Sequence, residues 1–299
     1  MKLKIRGVFA PKVLIPVIAL AGIGFGTATV INLLNRHGEA AIKLIPADAA
    51  IAVSFDNSQS AAQVPLFNEI KQAMHDSGLN KMIDEQLASA DGGKGVLNRL
   101  RTTLRGSFAI GVWGDLKGSE PEAVLCLALS NPSEAENIVQ NYGKKTESNG
   151  ITIYKGDDQG LVAFYKDYAL ISNSERAIAR VVSVGKGESE SLYDQQSFQD
   201  ARSSLPDDAT FMTFVNCRAI VEKDPDAKKG FEALGLNQNG WLAYGITLRT
   251  EGIQIDGTMP NGLDEKSIVG VMRSMGSLKY NSLSQFPSGA IGVAGLSNP

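Results

Sequence analysis

Few residues in this chain are of a type that could do chemistry, and their spacing limits what that chemistry could be. The acidic pairs Asp157-Asp158 and Asp207-Asp208 could offer oxygen ligands to a hard cation. Both fall in expected turns, where Asp is also favoured for hydrogen bonds to its own backbone. Arg99, Arg101 and Arg105 could form an anion patch, but they lie near the end of an expected helix, where positive charge already complements the dipole. The two histidines, His37 and His75, have no GxSxG elbow that would make either the base of a hydrolytic triad. Neither Gly92-Gly93-Lys94-Gly95 nor Gly185-Lys186-Gly187 has the GxxxxGK[ST] spacing that aligns backbone N–H groups on a phosphate. Asp224-Pro225-Asp226-Ala227 opens like a calcium loop, but Lys228 stands where an oxygen ligand is needed, Lys229 replaces the glycine and Gly235 the closing glutamate. The residues therefore nominate no catalytic, cofactor-binding or metal-binding site, and no cofactor.

Cys126 and Cys217 match no metal or redox spacing. In an oxidising compartment they could pair across a long loop, whereas Cys126, inside an apolar run, also suits a small buried hydrophobe. Both alternatives stand on the sequence.

The elements that would position these residues alternate between helix and strand. Ile51 to Phe55 is an expected strand. Apolar residues at three-to-four spacing then predict helices through Leu66 to Met74, Met82 to Leu87, and Val96 to Leu104, the last ending at Gly106. Strands follow at Phe108 to Trp113, Ala123 to Leu129, Ile151 to Lys155, Leu161 to Tyr165 and Tyr168 to Ser172. Ser133 with Glu136 and Ser172 with Glu175 are expected caps of two intervening helices. Leu192 to Ser203 and Ala219 to Leu234 are expected to be helical, the latter broken near Asp224-Pro225. Trp241 to Thr250 and Gly252 to Met259 should form a hairpin before a Lys266 to Met275 helix. Tight turns between neighbouring strands predict an α+β fold with antiparallel sheets and packed helices.

One pattern recurs. Pro46-Ala47-Asp48-Ala49, Pro206-Asp207-Asp208-Ala209 and Pro287-Ser288-Gly289-Ala290 each open an apolar strand, at intervals of 160 and 81 residues, which suggests duplicated units. The expected division is a first unit over 44–205 and a second over 206–299. The third copy falls at the end of the chain, so the second unit is expected to be C-terminally incomplete.

Ahead of these units, Val13 to Leu34 is a run of 22 uncharged residues. At about 1.5 Å per residue it covers roughly 33 Å, enough for a hydrocarbon core of roughly 30 Å. Lys2, Lys4, Arg6 and Lys12 precede it with no acidic residue among them, which predicts a cytoplasmic tail over 1–12, a single membrane span over 13–34 and a tether over 35–43. The domain would then lie in a periplasmic, lumenal or extracellular space, beyond a plasma or thylakoid membrane. A cleaved signal peptide ending near Gly26-Thr27-Ala28 is the alternative; the length of the run argues against it. A lipid anchor lacks its cysteine, because Ile23 follows Leu20-Ala21-Gly22. Gly22 and Gly26 form a GxxxG pair that could bring two helices together as a homodimer.

Hydrophobic residues make up 43% and charged residues 20%, the composition of a folded domain and not of a disordered chain. The whole chain carries −3, and residues 1–43 hold six basic and one acidic side chain, which leaves −8 on residues 44–299. That acidity disfavours nucleic acid as a partner.

The Pro-x-x-Ala strand openings, the N-terminal anchor and above all Ser191 to Asn216 resemble a bacterial family, the domain of unknown function numbered 3352. The resemblance implies a single-pass envelope protein of similar layout, with relatives in cyanobacteria, and brings no activity or site. The expected function is a membrane-anchored envelope protein, binding or structural, held in the bilayer by Val13 to Leu34 and meeting another envelope protein or polymer. The alternative is an exported enzyme with a carboxylate-based site.

Overall fold

The computed structural model describes residues 41–55, 72, 103–114, 121–141, 143–156, 160–233, 240–249 and 252–260. The expected membrane span, the helices expected between Leu66 and Leu87 apart from the helical Gln72, the Lys266 to Met275 helix and the strand after Pro287 lie outside them. Among the described residues no helix is long and apolar enough to cross a membrane.

Among the described residues ten strands form one antiparallel sheet: β1 (Ile51–Phe55), β2 (Leu104–Trp113), β3 (Glu122–Leu129), β4 (Lys144–Ser148), β5 (Ile151–Lys155), β6 (Leu161–Tyr165), β7 (Tyr168–Ser172), β8 (Phe211–Asn216), β9 (Trp241–Arg249) and β10 (Gly252–Thr258). Their order across the sheet is β10-β9-β8-β1-β2-β3-β7-β6-β5-β4. Five helices with described bounds accompany them: α1 (Pro132–Gln140), α2 (Glu175–Lys186), α3 (Gln196–Ser203), α4 (Cys217–Lys223) and α5 (Pro225–Ala233). The α+β expectation holds, and the sheet runs without a break across the expected unit boundary at 205/206, because β1 pairs with β8.

Each face of the sheet carries an apolar core. On one face Trp113, Cys126, Leu170, Val181, Phe198, Phe214 and Trp241 pack with α2, α3 and the turn Ile42–Leu44. Phe198 meets Phe214 edge-on at 5.3 Å. On the other face Phe55, Phe108, Leu125, Leu127 and Leu129 join Ile138 and Val139 of α1. Period-two alternation explains the division, since neighbours along a strand point to opposite faces and both faces are covered here.

The same entry into the sheet is built twice. Ala49 donates its N–H to Pro46 O at 3.1 Å, and Ala209 to Pro206 O at 3.0 Å. The next residues, Ala50 and Thr210, donate to Val112 O of β2 and Ile246 O of β9, both at 2.8 Å. β1 and β8 then pair about Val53 and Thr213, with Ile51 opposite Val215 and Phe55 opposite Phe211. Each strand has a hairpin outside it, β2-β3 on one side and β9-β10 on the other.

Several local expectations are corrected. Leu104 begins β2 instead of closing a helix; the register shifts between Leu104 and Phe108, where Gly106 takes φ 81°. A glycine reaches that left-handed geometry without a Cβ penalty, so it bends a strand here where the periodicity suggested a helix stop. The cap of α1 is Asn131, whose side chain accepts from Glu134 N–H, because Pro132 occupies the first helical position and moves the cap upstream of Ser133. The cap of α2 is Ser174, accepting from Ala177 N–H. Ser172 stays in β7 and donates to Ala123 O at 2.6 Å. Strand β4, Lys144-Lys145-Thr146-Glu147-Ser148, is not expected from the sequence because it has no apolar face. Leu192–Asp194 is a 3-10 turn ahead of α3. The break near Asp224-Pro225 falls between α4 and α5, as expected.

Candidate interaction surface

Among the described residues, those singled out in the sequence are not brought together. Asp157-Asp158, Arg99, Arg101, His37 and His75 lie outside the described residues. Asp207 is exposed in the Pro206 turn, and Arg105 lies 3.8 Å from Asp167. Gly185-Lys186-Gly187 is the end of α2: Gly187, at φ 78°, donates to Val184 O while Glu188 donates to Ser183 O, a Schellman closure. Among the described residues no three His, Cys, Asp or Glu side chains converge as a metal site.

Cys126 and Cys217 are both free and buried. Cys126 is on β3 and Cys217 follows β8, with β2 and β1 between them. Three inter-strand steps of about 4.8 Å separate them by about 14 Å, roughly twice the Cα distance a disulfide can span. Burial alone pushes the Cys126 thiol far above its usual range and is the main cause that pushes the Cys217 thiol up to about 12, so neither is a poised nucleophile.

Charge gathers where β3 begins and α2 starts. Burial opposes ionisation of Glu122, but hydrogen bonds from Arg176 Nε (2.9 Å) and Ser174 Oγ (2.8 Å), with Arg180 nearby, outweigh it and hold the carboxyl below its usual value. The Arg180 guanidinium pairs with Asp48 and lies 5.3 Å over the Trp113 ring. The Asp48–Arg180 pair ties the Pro46 turn to α2, and the Glu122–Arg176 pair ties the start of β3 to the same helix. A small cleft of about 290 Å³ opens where β5 and β6 part beyond the Ile153–Ala163 pair, lined by Glu136, Ile151, Thr152, Phe164, Tyr165 and Lys186. Its carboxylate is already engaged, since Glu136 accepts from Tyr154 Oη at 2.8 Å.

The two ends of the sheet differ more than any pocket. β4 closes one end with exposed Lys144, Lys145 and Glu147, the charged edge by which soluble sheets discourage pairing. At the other end, Trp241, Ala243, Gly245 and Thr247 of β9 are buried on the α3 side, while Tyr244 projects from the opposite face. Tyr244 is opposite Gly257 of β10, and its ring lies across that glycine: a Cβ there would sit 3.2 Å from the ring. Tyr244 is still 45% exposed, and Ile255, opposite Ile246, is 68% exposed. Among the described residues these are the large hydrophobics left open to solvent, and they sit together beside an edge strand. Sequence reasoning located the hairpin but not its exposure, because Ile253 and Ile255 alternate as core-facing residues do.

The family model described as Protein of unknown function (DUF3352) matches residues 102–294. A solved structure titled "Structure of crystal form I of TP0453" is 12% identical with a TM-score of 0.41, over 80% of this chain and 85% of that one, a likeness too slight to argue from. No curated protein matches.

Proposed function

This chain belongs to the DUF3352 family of proteins of unknown function, and we propose that it is a membrane-tethered envelope protein that acts by docking, not catalysis, through the β9-β10 end of its sheet. The observation that carries this reading is the asymmetry of the sheet among the described residues: a charged, guarded edge at β4, and an edge at β10 with exposed Tyr244 and Ile255 beside it. An aromatic anchor beside an aliphatic side chain and a row of backbone donors and acceptors is the chemistry of strand addition. Val13 to Leu34 would hold the domain on the outer side of a plasma or thylakoid membrane, with the basic tail in the cytoplasm.

We further propose that the sheet arose by duplication. Support comes from the paired Pro46 and Pro206 turns and from the likeness of Phe108-Ala109-Ile110-Gly111-Val112 to Leu242-Ala243-Tyr244-Gly245-Ile246 at corresponding registers. The packing agrees, since Gly111 sits against Ile45 and Gly245 against Leu205, the residues that precede the two prolines.

The test uses the full chain in right-side-out vesicles. Carbonate should fail to extract it, and added protease should digest the domain. A soluble product starting near Thr29 would overturn the anchor, and a protected domain would overturn the orientation. A photo-crosslinker at Tyr244 should capture a neighbour in native membranes; no adduct there would remove the docking reading.

A further inference from the structure

We infer that the occupant of the β10 edge is a second copy of this chain, paired β10 to β10 and antiparallel about Ile255. This inference rests on the docking reading above and names its partner. The ladder first fixes which backbone groups are available. Ile246 O accepts from Thr210 N–H, so the polar groups of Ile246 face β8. Ile255, opposite Ile246, is then in a non-hydrogen-bonded pair, and its N–H and C=O point away from β9. Among the described residues no strand receives them.

The sequence of β10 is self-complementary about that residue. In an antiparallel pair centred on Ile255, Asp256 of one copy lies opposite Gln254 of the other, and Ile255 lies opposite its own counterpart. Within one chain Gln254 Nε2 already donates to both Asp256 oxygens, at 3.0 and 2.9 Å, so the same donor–acceptor match would be repeated across the junction. The two Ile255 side chains, each 68% exposed in a single chain, would cover one another on the Tyr244 face. β4 has no comparable gain, because its outward side chains are Lys and Glu and pairing there would bury charge. The sheet already contains a junction of this kind, since β1 and β8 pair antiparallel about Val53 and Thr213. Tethering on one membrane would raise the effective concentration of the two edges.

The experiment uses the full chain in detergent and in native membranes. Ile255→Cys should form a disulfide-linked dimer on mild oxidation, while the parent chain, whose Cys126 and Cys217 are buried, and Glu147→Cys on β4 should not. Ile255→Lys should lose the β10-mediated dimer, read by disulfide formation between a Gln254→Cys chain and an Asp256→Cys chain, whose residues lie opposite one another in the pair, without a change in melting temperature. An Ile255→Cys chain that melts like the parent and stays monomeric overturns the inference, as does equal cross-linking through Glu147→Cys. A monomeric Ile255→Cys chain whose Tyr244 probe still captures a different envelope protein overturns the second copy but leaves the docking reading standing. Loss of both removes both.

Discussion

The β1-β2-β3 and β8-β9-β10 ribbons have the same entry turn, the same glycine in the middle strand and the same order of strands, yet their outer strands have opposite fates. β3 is buried along nearly its whole length because β7 pairs with its far side and α1 and α2 cover its faces. β10 has no such neighbour among the described residues, and at positions corresponding to Ala123, Val124 and Leu125 it carries Ile255, Asp256 and Gly257. A common backbone plan thus does not dictate burial; the neighbours that later chain segments bring to the outer strand do. Residues 132–172 supply α1 and the β4–β7 meander to the first ribbon, and this completes its edge.

The largest effect should come from placing a charge at the two outer strands. Leu125, 2% exposed between β2 and β7, should not tolerate Asp: an unpaired buried carboxylate costs about 4 kcal/mol or more, enough to unfold a domain of ordinary stability. Ile255→Asp on the same face should change stability by less than about 0.5 kcal/mol. Chemical denaturation of the two variants checks the contrast, and equal losses would mean that β10 is covered as β3 is.

Next in size is the seam between the ribbons. The Phe211 ring lies 4.7 Å from Phe55, tilted against it, and 6.4 Å from Phe108, edge-on, so it joins a residue of the second ribbon to two of the first. Phe211→Asp should cost about 3 kcal/mol, whereas Asp207→Ala, in the exposed turn just before, should be nearly neutral. If Phe211→Asp melts like the parent, the seam is not core and the case for two matched ribbons weakens with it.

The central strands, the hairpins and the paired proline turns were legible in the sequence because apolar alternation, turn residues and Pro-x-x-Ala are local signals. Strand β4 was not, since Lys144 to Ser148 is recruited by pairing with β5 alone and buries no apolar stripe. The cap positions slipped because Asn131 and Ser174 compete with neighbouring serines, and the choice was made by Pro132 and by the engagement of Ser172 with Ala123 O. The docking surface was the least legible: Tyr244 and Ile255 alternate like core residues, and only the sheet order reveals that nothing described lies beyond them.

A smaller effect should separate the two mid-strand glycines. A Cβ on Gly111 would meet Trp113 ring carbons at 2.6 and 2.9 Å, and that ring is 2% exposed with little room to move. At Gly245 the nearest contacts are Ala209 and Leu205 side-chain atoms at 3.3 Å. Gly111→Ala should therefore cost about 2 kcal/mol and Gly245→Ala about 1 kcal/mol or less, measured by thermal melts. The reverse order would mean that Trp113, whose Nε1 has no described partner, is the looser of the two sites.

The smallest effect concerns corresponding residues near the start of β3 and β10, where Glu122 is opposite Trp113 and Gln254 is opposite Thr247. Glu122 has its folded pKa lowered from the ordinary 4.5 by Arg176, Ser174 and Arg180 against the opposing pull of burial. A lowered carboxylate pKa means the pairing contributes stability above the unfolded pKa and loses it as the pH falls through the folded one. Glu122→Gln should thus melt lower than the parent at neutral pH, and the gap should close in acid. The mirror substitution, Gln254→Glu, would replace a donor to Asp256 with a second carboxylate, so its cost should be present at neutral pH and shrink on acidification as the like charges are relieved. Both losses should also shrink with added salt, since the pairs are reached by solvent. What separates the ribbons is the parent's own slope, part of whose acid sensitivity should vanish with Glu122→Gln. An unchanged slope in Glu122→Gln would place the acid-sensitive contact elsewhere in the sheet.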